Sequence, residues 1–230
     1  MKKKKSIYEK FDEKLYPLKV FIMSWIEPEC WVIDKSAKTI LDVGSGRGLP
    51  MEMIKMRINV EKSVGVDLFE PYIRESKKKR IHNEYVLVDI RKMKFPDKSF
   101  DVVMALQVLE HLPKKEAWQV LKKMEKIAKK QVIIATPIGE MYHPAVDNNK
   151  LQLHKSHFYP EEFEKRGYKI IKVGIKAITG EHGLVHEVQN DLARKLLYTL
   201  NLFVTLFTYV FQDRADYYFV ASKKTWLRLR

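Results

Sequence analysis

The chain has 230 residues, 46% hydrophobic and 31% charged, which favours one domain with a packed soluble core over two independent domains. The single cysteine, Cys30, excludes an internal disulfide and a thiolate metal site, and it fits a reducing cytoplasm. The formal net charge of +14 keeps a nucleic-acid partner among the hypotheses, although lysine-rich runs at 2–5, 74–80, 122–130 and 223–230 are also typical of solvated helix faces.

The first 36 residues predict an N-terminal helical lid, residues 1–36. Apolar residues spaced three and four apart alternate with Lys and Glu, which predicts one or two amphipathic helices. Pro17 interrupts this pattern, and the pattern ends before Pro28. Lys2 to Lys5 lead into a mixed sequence rather than an apolar segment, so no signal peptide is expected.

From residue 37 onwards, short apolar runs alternate with charged helical stretches. Seven of these runs are predicted to be strands: Thr39–Val43, Ser63–Val66, Tyr85–Val88, Phe100–Leu106, Gln131–Ala135, Tyr168–Ile178 and Ala215–Ser222. Strands that alternate with helices imply a parallel sheet covered by helices on both faces. Residues 37–230 are therefore predicted to form one doubly wound α/β domain.

A long insertion, residues 180–214, precedes the last predicted strand. Its segment Leu196–Phe211 carries no charge but is shorter than the roughly 20 residues that a transmembrane helix needs. Its polar residues fall at helical spacing on one narrow stripe: Asn201, Thr205, Thr208 and Gln212. We expect a helix buried nearly all round. The alternatives are a dimer surface, a wall of an apolar substrate pocket and a membrane-contacting element.

The stretch 39–50 (TILDVGSGRGLP) predicts a ligand-binding turn between a strand and a helix. Three glycines let its backbone turn sharply and leave no side chain between it and a ligand: Gly44, Gly46 and Gly48. A dinucleotide fingerprint would place its third glycine at Leu49. Asp42, beside the loop, suits a cofactor with a sulfonium and an ammonium, such as S-adenosylmethionine, better than one with phosphates. A tight turn without a ligand is the alternative.

Two further acids follow the next two predicted strands. Asp67 ends the second strand, where Rossmann folds use an acid to accept hydrogen bonds from ribose hydroxyls. Asp89 follows the third strand, where a carboxylate can accept from the exocyclic amine of an adenine, with Leu68 and Ile90 flanking the ring. Acids after three consecutive strands, behind one glycine loop, indicate a nucleoside-containing ligand more strongly than any one acid does.

With these motifs, the sequence resembles the class I S-adenosylmethionine-dependent methyltransferases, and within them the broad branch of ubiquinone- and menaquinone-pathway methyltransferases. The stretches that carry the resemblance lie between residues 38 and 178: Ile40–Gly48, Val64–Asp67, Phe95–Val103, Leu109–Leu112 and, more weakly, His157–Phe163 and Arg166–Tyr168. The resemblance implies a Rossmann-like α/β fold with a mostly parallel seven-stranded sheet and an antiparallel last strand. It also implies S-adenosylmethionine as the cofactor and S-adenosylhomocysteine as the product.

Roles for individual residues also follow from the resemblance. The glycine loop wraps the methionine part of the cofactor, with Asp42 beneath its amino group. Leu106 and Gln107, just past the fourth predicted strand, offer backbone groups to the methionine ammonium. The predicted cofactor-binding set is Asp42, Gly44, Gly46, Gly48, Asp67, Leu68, Asp89, Ile90, Leu106 and Gln107.

A general base helps methyl transfer when the acceptor is a hydroxyl or a protonated amine. Four histidines lie near the expected mouth of the site: His111, His143, His154 and His157. His111 recurs in family members with unrelated acceptors, which favours a packing role. His154 lies after the fifth strand, where acceptors bind in this fold, and is our first catalytic candidate; His157, the second, alternatively anchors a helix start. No metal site is predicted, because the four histidines lack a clear ligand pair.

The acceptor stays open between two classes, with a non-catalytic cofactor-binding protein as a third hypothesis. A small-molecule, glycan or lipid-linked acceptor, methylated on O or N, fits the related enzymes. The apolar helix and the basic chain ends would allow contact with an anionic membrane, and the helix would alternatively mediate a homodimer. The charge motivates an RNA methyltransferase, but the sequence has no RNA-binding module and no Asn-Pro-Pro-Tyr motif. The intact glycine loop and the three acids argue against a non-catalytic protein.

Overall fold

The computed structural model describes residues 16, 18, 20–24, 27–141, 147–179, 197 and 203–225. Within these residues one sheet contains seven strands: β1 (Thr39–Val43), β2 (Lys62–Asp67), β3 (Glu84–Leu87), β4 (Phe100–Leu106), β5 (Ala128–Pro137), β6 (Lys169–Val173) and β7 (Tyr218–Lys224). The strand order is β3-β2-β1-β4-β5-β7-β6, and β1 to β5 pair in parallel. The last strand, β7, runs antiparallel to both of its neighbours, β5 and β6. The predicted Rossmann-like fold, with its antiparallel last strand, is confirmed.

Helices connect the strands and cover the sheet. Those with both ends among the described residues are α1 (Glu29–Val32), α2 (Leu49–Arg57), α3 (Glu70–Lys78), α4 (Lys114–Ile127), α5 (Pro160–Glu164) and α6 (Lys176–Thr179). Residues 20–24 and 203–210 are also helical. Short 3₁₀ turns lie at Ile90–Lys92, Leu109–His111, Lys150–Gln152 and Gln212–Arg214.

Alternate residues of the central strands supply two hydrophobic cores, one on each face of the sheet. Leu41 and Val43 of β1 pack into the core that includes α4, whereas Ile40 of β1 packs into the core that includes α2. All three side chains are fully buried, which contributes roughly 1.5–3 kcal/mol each. Burial of β1 on both faces explains its near-continuous apolar sequence.

The sixth strand is shorter than predicted. The run Tyr168–Ile178 was expected to be one strand, but β6 ends at Val173 and the next segment forms α6. Gly174 has a φ of +73°, which lies outside the strand region and stops the ladder. The fifth strand is longer than predicted, since β5 extends beyond Gln131–Ala135 at both ends.

The N-terminal region is only partly described. Residues 1–15 lie outside the described residues, so the lid stays a prediction. The described helical residues 20–24 precede Pro28, as predicted. The short helix α1, which begins directly after this proline, was not predicted. Most residues of the insertion that precede residue 203 also lie outside the described residues. His143 lies outside them as well.

In the described part of the apolar segment, apolar side chains are exposed and a polar side chain is buried, which is the reverse of the expectation. Its large apolar side chains are exposed: Phe203, Leu206, Phe207, Val210 and Phe211. Thr208 is buried, and its hydroxyl accepts from the N–H of Gly174 at 3.1 Å. Gln212 bonds both backbone groups of Lys172 in β6, at 2.8 and 3.1 Å. The polar stripe thus pairs with the edge strand β6, whose backbone groups need partners, and the expected all-round burial is wrong here. No described helix has the length and apolar character needed to cross a bilayer.

Candidate functional site

A cavity of about 440 Å³ opens beside the carboxyl ends of β1, β2 and β4. Open parallel sheets bind ligands at this edge, where loops from neighbouring strands meet. All ten residues predicted to bind the cofactor line this cavity: Asp42, Gly44, Gly46, Gly48, Asp67, Leu68, Asp89, Ile90, Leu106 and Gln107. The fold therefore brings the whole predicted set together around one space.

The glycine loop turns directly after β1. The N–H groups of Gly44 and Ser45 both donate to the carbonyl of Val66, at 2.7 and 2.9 Å, and this ties the loop to β2. At Gly44, with a φ of +74°, an added Cβ would lie 2.5 Å from Cγ2 of Val108. At Gly46, with a φ of +53°, an added Cβ would meet no protein atom within 4 Å. The fold therefore requires the first glycine for packing, whereas the second leaves open space beside the loop.

Asp67 holds the glycine loop against the end of β2. Its Oδ2 accepts from the N–H of Gly46 at 2.8 Å, and its Oδ1 accepts from the N–H of Phe69 at 2.7 Å. Burial raises the pKa of Asp67, and the nearby Asp42 carboxylate raises it further, while the two backbone donors act in the opposite direction. Each carboxylate oxygen has a second lone pair, so the side chain can still accept from a bound ligand.

Asp42 has a partner that the sequence did not indicate. Nε2 of His82 lies 3.0 Å from Oδ2 of Asp42, and both side chains are buried. The Tyr85 hydroxyl accepts from the backbone N–H of His82 at 3.0 Å and lies 2.9 Å from Oγ of Ser76. His82 lies away from the histidines that the sequence places near the expected mouth of the site. No short-range pattern links residues 42 and 82.

Asp89 begins the 3₁₀ turn after β3. Its carboxylate accepts from the backbone N–H and from Nε of Arg91, each at 2.9 Å. These hydrogen bonds lower the pKa of Asp89. Ile90 is buried and Leu68 is half exposed beside the same cavity, so the acid is next to an apolar wall. This combination suits a purine ring with an exocyclic amine.

A covering segment, residues 147–155, closes over part of the cavity. Asp147 accepts from Nη2 of Arg47 at 2.6 Å and from the Tyr72 hydroxyl at 2.8 Å. The Gln152 amide donates to the same hydroxyl at 3.0 Å, and the guanidinium of Arg47 stacks 4.1 Å from the centre of the Tyr72 ring. The glycine loop and α3 therefore fix the position of this segment. No short-range sequence pattern indicates these pairs.

The two predicted catalytic histidines lie at a second, adjacent depression of about 330 Å³. Nδ1 of His154 is 2.7 Å from the carbonyl of Met141, and its ring centre is 5.1 Å from that of His111, which lines the cofactor cavity. His157 is exposed, and its ring centre lies 5.9 Å from that of Tyr159. The structure thus brings His154 beside His111, a residue of the cofactor cavity. Lys155 lines both spaces.

Three groups with metal-binding atoms meet between the two spaces. One ligand atom each from Glu110, His111 and His154 lies within 4.8 Å of the others. In the sequence, the histidines show no clear ligand pair, and no metal site is predicted from it. The fold brings His111 and His154 together, and Glu110 lies with them. The one feature of the sequence that could have indicated Glu110 is its position directly before His111. Burial raises the pKa of Glu110 to about 8.

The chemistry of the larger cavity fits the cofactor that the sequence implies. Its volume lies within the roughly 300–1,000 Å³ typical of small-molecule sites. Asp42 and Asp67 line the cavity with two carboxyl groups, which suit a ligand that carries cationic groups and hydroxyls. The open space beside Gly46 admits a ligand close to the backbone.

Comparison with known proteins identifies a matching domain. Residues 41–136 match the family model described as a methyltransferase domain, a range that contains the glycine loop, Asp67 and Asp89. No curated protein shows significant similarity to the chain. No comparison tests the closer likeness to the quinone-pathway branch, which stays a prediction.

Solved structures share the fold. A SAM-dependent methyltransferase from Archaeoglobus fulgidus is 21% identical, with a TM-score of 0.58, over 95% of this chain and 100% of the other. The plantazolicin methyltransferase BpumL, in complex with SAH, is 16% identical, with a TM-score of 0.51, over 94% and 87%. Phospholethanolamine N-methyltransferase 2 from Haemonchus contortus, in complex with phosphomonomethylethanolamine and S-adenosylhomocysteine, is 15% identical, with a TM-score of 0.55, over 96% and 60%.

Proposed function

Because the chain is a class I S-adenosylmethionine-dependent methyltransferase, we propose that it methylates an O or N atom of a small-molecule, glycan or lipid-linked acceptor. The observation that carries this proposal is the pair of adjacent spaces. One is lined by the ten residues predicted to bind the cofactor, and the other, beside His154, is open for an acceptor. Lys155 lines both, so the acceptor site adjoins the cofactor site.

S-adenosylmethionine supplies a methyl group on a positively charged sulfur, and its transfer leaves S-adenosylhomocysteine. We assign Asp67 to the ribose hydroxyls and Asp42 to the ammonium. The second lone pairs of the Asp67 oxygens support the first assignment. The apolar wall of Leu68 and Ile90, with Asp89 at its edge, supports binding of the adenine.

The protein contributes mainly alignment of the acceptor and exclusion of water. Such positioning contributes up to roughly 7–11 kcal/mol in favourable intramolecular models. The covering segment is well placed for this role, because Arg47 and Tyr72 fix Asp147 beside the glycine loop. An acceptor that enters from the depression meets the cofactor cavity at His111 and Lys155.

His154 is the better placed of the two predicted bases. A carbonyl only accepts hydrogen bonds, so the 2.7 Å contact with Met141 makes Nδ1 the donor. In a neutral ring Nε2 then carries the lone pair, which can receive a proton or bind a cation. His157 lines the same depression, and its role stays a prediction.

The acceptor class is proposed from two observations. The Haemonchus enzyme, with phosphomonomethylethanolamine in its complex, illustrates a small acceptor in this fold. The exposed apolar side chains of residues 203–211 favour a lipid-linked acceptor and peripheral contact with an anionic membrane. A homodimer through the same surface is the alternative use of these side chains. We expect the enzyme to work in the cytoplasm or at its membrane surface.

Transfer of radiolabelled methyl from S-adenosylmethionine into a cell extract, followed by fractionation, tests the proposal. We expect label in the organic-soluble, small-molecule or glycan fraction, and less label with an Asp67→Ala variant at limiting cofactor. Label that disappears after ribonuclease treatment would instead identify an RNA methyltransferase. Cofactor binding without transfer to any fraction would favour the non-catalytic alternative.

A further inference from the structure

We propose that Glu110, His111 and His154 bind one divalent transition-metal ion between the cofactor cavity and the depression beside it. Two imidazoles and one carboxylate form a donor set that first-row ions such as Zn²⁺ accept. Three protein ligands, rather than four, are typical of metal sites that keep a position open for another ligand. We use Zn²⁺ as the probe ion.

The backbone around the cluster already brings its members together. The carbonyl of Glu110 accepts from the N–H groups of Lys155 and Ser156, at 2.8 and 3.1 Å. These bonds hold the residues that follow His154 against the 3₁₀ turn that carries Glu110 and His111. The ligand atoms, within 4.8 Å of one another, need to approach to roughly 3.4 Å for tetrahedral bonds of about 2.0–2.2 Å. Binding of the ion would therefore require the three side chains to move closer together.

Glu110 is the feature that points to a cation. Its side chain is almost completely buried, at 2% exposure. Oε2 accepts from the Thr136 hydroxyl at 3.1 Å, whereas Oε1 is buried and has no hydrogen-bond partner among the described residues. A buried carboxylate oxygen without a partner is costly. A metal ion would satisfy that oxygen, while the Thr136 hydroxyl orients the carboxylate through its other oxygen.

His154 has the arrangement that metal-binding histidines usually have. Metal-ligating histidines usually donate their second ring N–H to a carbonyl or a carboxylate, which fixes the ring and its tautomer. In His154, Nδ1–H donates to the carbonyl of Met141 at 2.7 Å. In the neutral ring, Nε2 then carries the lone pair that would bind the ion.

The position of the ion gives it contact with the acceptor. His111 lines the cofactor cavity and His154 lines the depression, so an open coordination position would face the route between them. An acceptor with an oxygen donor, such as a hydroxyl or a carboxylate, suits that position. This assignment of the acceptor rests on the proposed function, whereas binding of the ion does not.

Isothermal titration of the untagged, chelator-treated chain with Zn²⁺, with elemental analysis of the dialysed protein, tests the site directly. We expect one ion per chain. Glu110→Gln and His154→Ala are each expected to weaken binding by at least about 100-fold, the upper end of what loss of an outer-shell partner costs. Thr136→Val is expected to cost about 10-fold or more for that outer-shell reason. Co²⁺ in place of Zn²⁺ should give the visible absorption of a low-coordinate site.

His157→Ala is the matched control, because it removes an exposed histidine three positions from His154. We expect it to bind Zn²⁺ like the wild type. Absence of Zn²⁺ binding by the wild type, or equal affinity in the His154→Ala variant, would overturn the metal site. His154 is only partly buried, so this variant should fold. Circular dichroism checks that it does.

A second measurement separates the site from the proposed function. Titration with S-adenosylhomocysteine reports the cofactor site whether or not an ion binds. Methyl transfer that stops on chelation and returns with Zn²⁺ would support contact between the ion and the acceptor. Unchanged transfer by the metal-free chain would overturn that contact. Binding of Zn²⁺ without methyl transfer under any condition would count against the proposed function and leave the metal site in place.

Discussion

Nε2 of His82 lies 3.0 Å from Oδ2 of Asp42, and neither side chain has appreciable contact with solvent. Asp42 also lines the cofactor cavity, so this pair joins the ligand site to the interior of the protein. A buried carboxylate needs hydrogen-bond donors to keep its charge and orientation. His82 thus orients Asp42, the residue that we propose binds the ammonium of the cofactor.

We expect His82→Leu to lower stability by roughly 1.5–3 kcal/mol, the typical contribution of a hydrogen bond to a charged group. The affinity for S-adenosylhomocysteine should fall as well, because Asp42 loses its orientation. Urea unfolding and isothermal titration measure the two effects. His82→Gln, which retains a donor, should recover part of both, and His157→Leu should change neither. Wild-type affinity in the His82→Leu variant would contradict this role.

Asp67→Ala tests the cofactor site. The substitution removes the acceptors for the proposed ribose hydroxyls and the bond that holds Gly46. Each lost charge-assisted bond contributes roughly 1.5–3 kcal/mol, so affinity for S-adenosylhomocysteine should fall by at least about tenfold. Titration calorimetry measures this change. Asp97→Ala, at an exposed turn residue, is the control. Unchanged affinity in the Asp67 variant would invalidate the whole site assignment.

Gly44→Ala tests the packing of the glycine loop. The new Cβ would lie 2.5 Å from Cγ2 of Val108, and the φ of +74° is unfavourable for alanine. We expect a loss of roughly 1–3 kcal/mol from overpacking alone. Val108→Ala removes the clashing methyls, so the double variant should be more stable than additivity predicts, with a coupling of roughly 0.5–3 kcal/mol. Gly46→Ala, which meets no atom, should show no such coupling. Additive losses in urea unfolding would contradict the clash.

The cofactor cavity could be predicted because its parts are local patterns. A glycine loop and an acid at the end of a strand are visible within a few residues, and a parallel sheet brings successive strand ends to one edge. The pairs Asp42–His82 and Arg47–Asp147 join residues that are 40 and 100 positions apart. They depend on how distant segments pack, for which a single sequence has no signal.

The helix at residues 203–210 shows a second limit of prediction from the sequence. Its periodicity indicated a polar stripe but not the direction in which that stripe faces. A stripe of this kind faces water when a helix covers a hydrophobic core. Here it faces the edge strand β6, because backbone groups of Lys172 and Gly174 need hydrogen-bond partners that Gln212 and Thr208 supply. The apolar side of the helix is therefore exposed to solvent.

Glu29 predicts a pH dependence of stability. Burial, and secondarily the Glu27 carboxylate, raises the pKa of Glu29 to about 8 from an ordinary value of 4.5. The folded state therefore holds this proton more tightly than the unfolded state does. Its contribution to stability is complete below pH 4.5 and is lost progressively as the pH rises to about 8.

We expect Glu29→Gln to remove that loss. The free energy of unfolding in urea should fall less between pH 5 and pH 9 in the variant than in the wild type, by on the order of 1 kcal/mol or more. Glu61→Gln, at an exposed glutamate, should follow the wild-type profile. Parallel profiles for the wild type and Glu29→Gln would show that Glu29 does not titrate between these values.

The exposed apolar side chains of residues 203–211 predict binding to anionic vesicles. Phe207 is 46% exposed and Val210 is 75% exposed, and the net charge of +14 favours an anionic surface. We expect the wild type to float with phosphatidylserine-containing vesicles at low salt. The Phe207→Ser, Val210→Ser double variant should not bind the vesicles and should remain in the bottom fraction. Leu87→Ser, at an apolar residue that is 54% exposed on the opposite edge strand, should float like the wild type. A dimer in analytical ultracentrifugation that the double variant dissociates, without flotation of the wild type, would instead make this surface a homodimer interface.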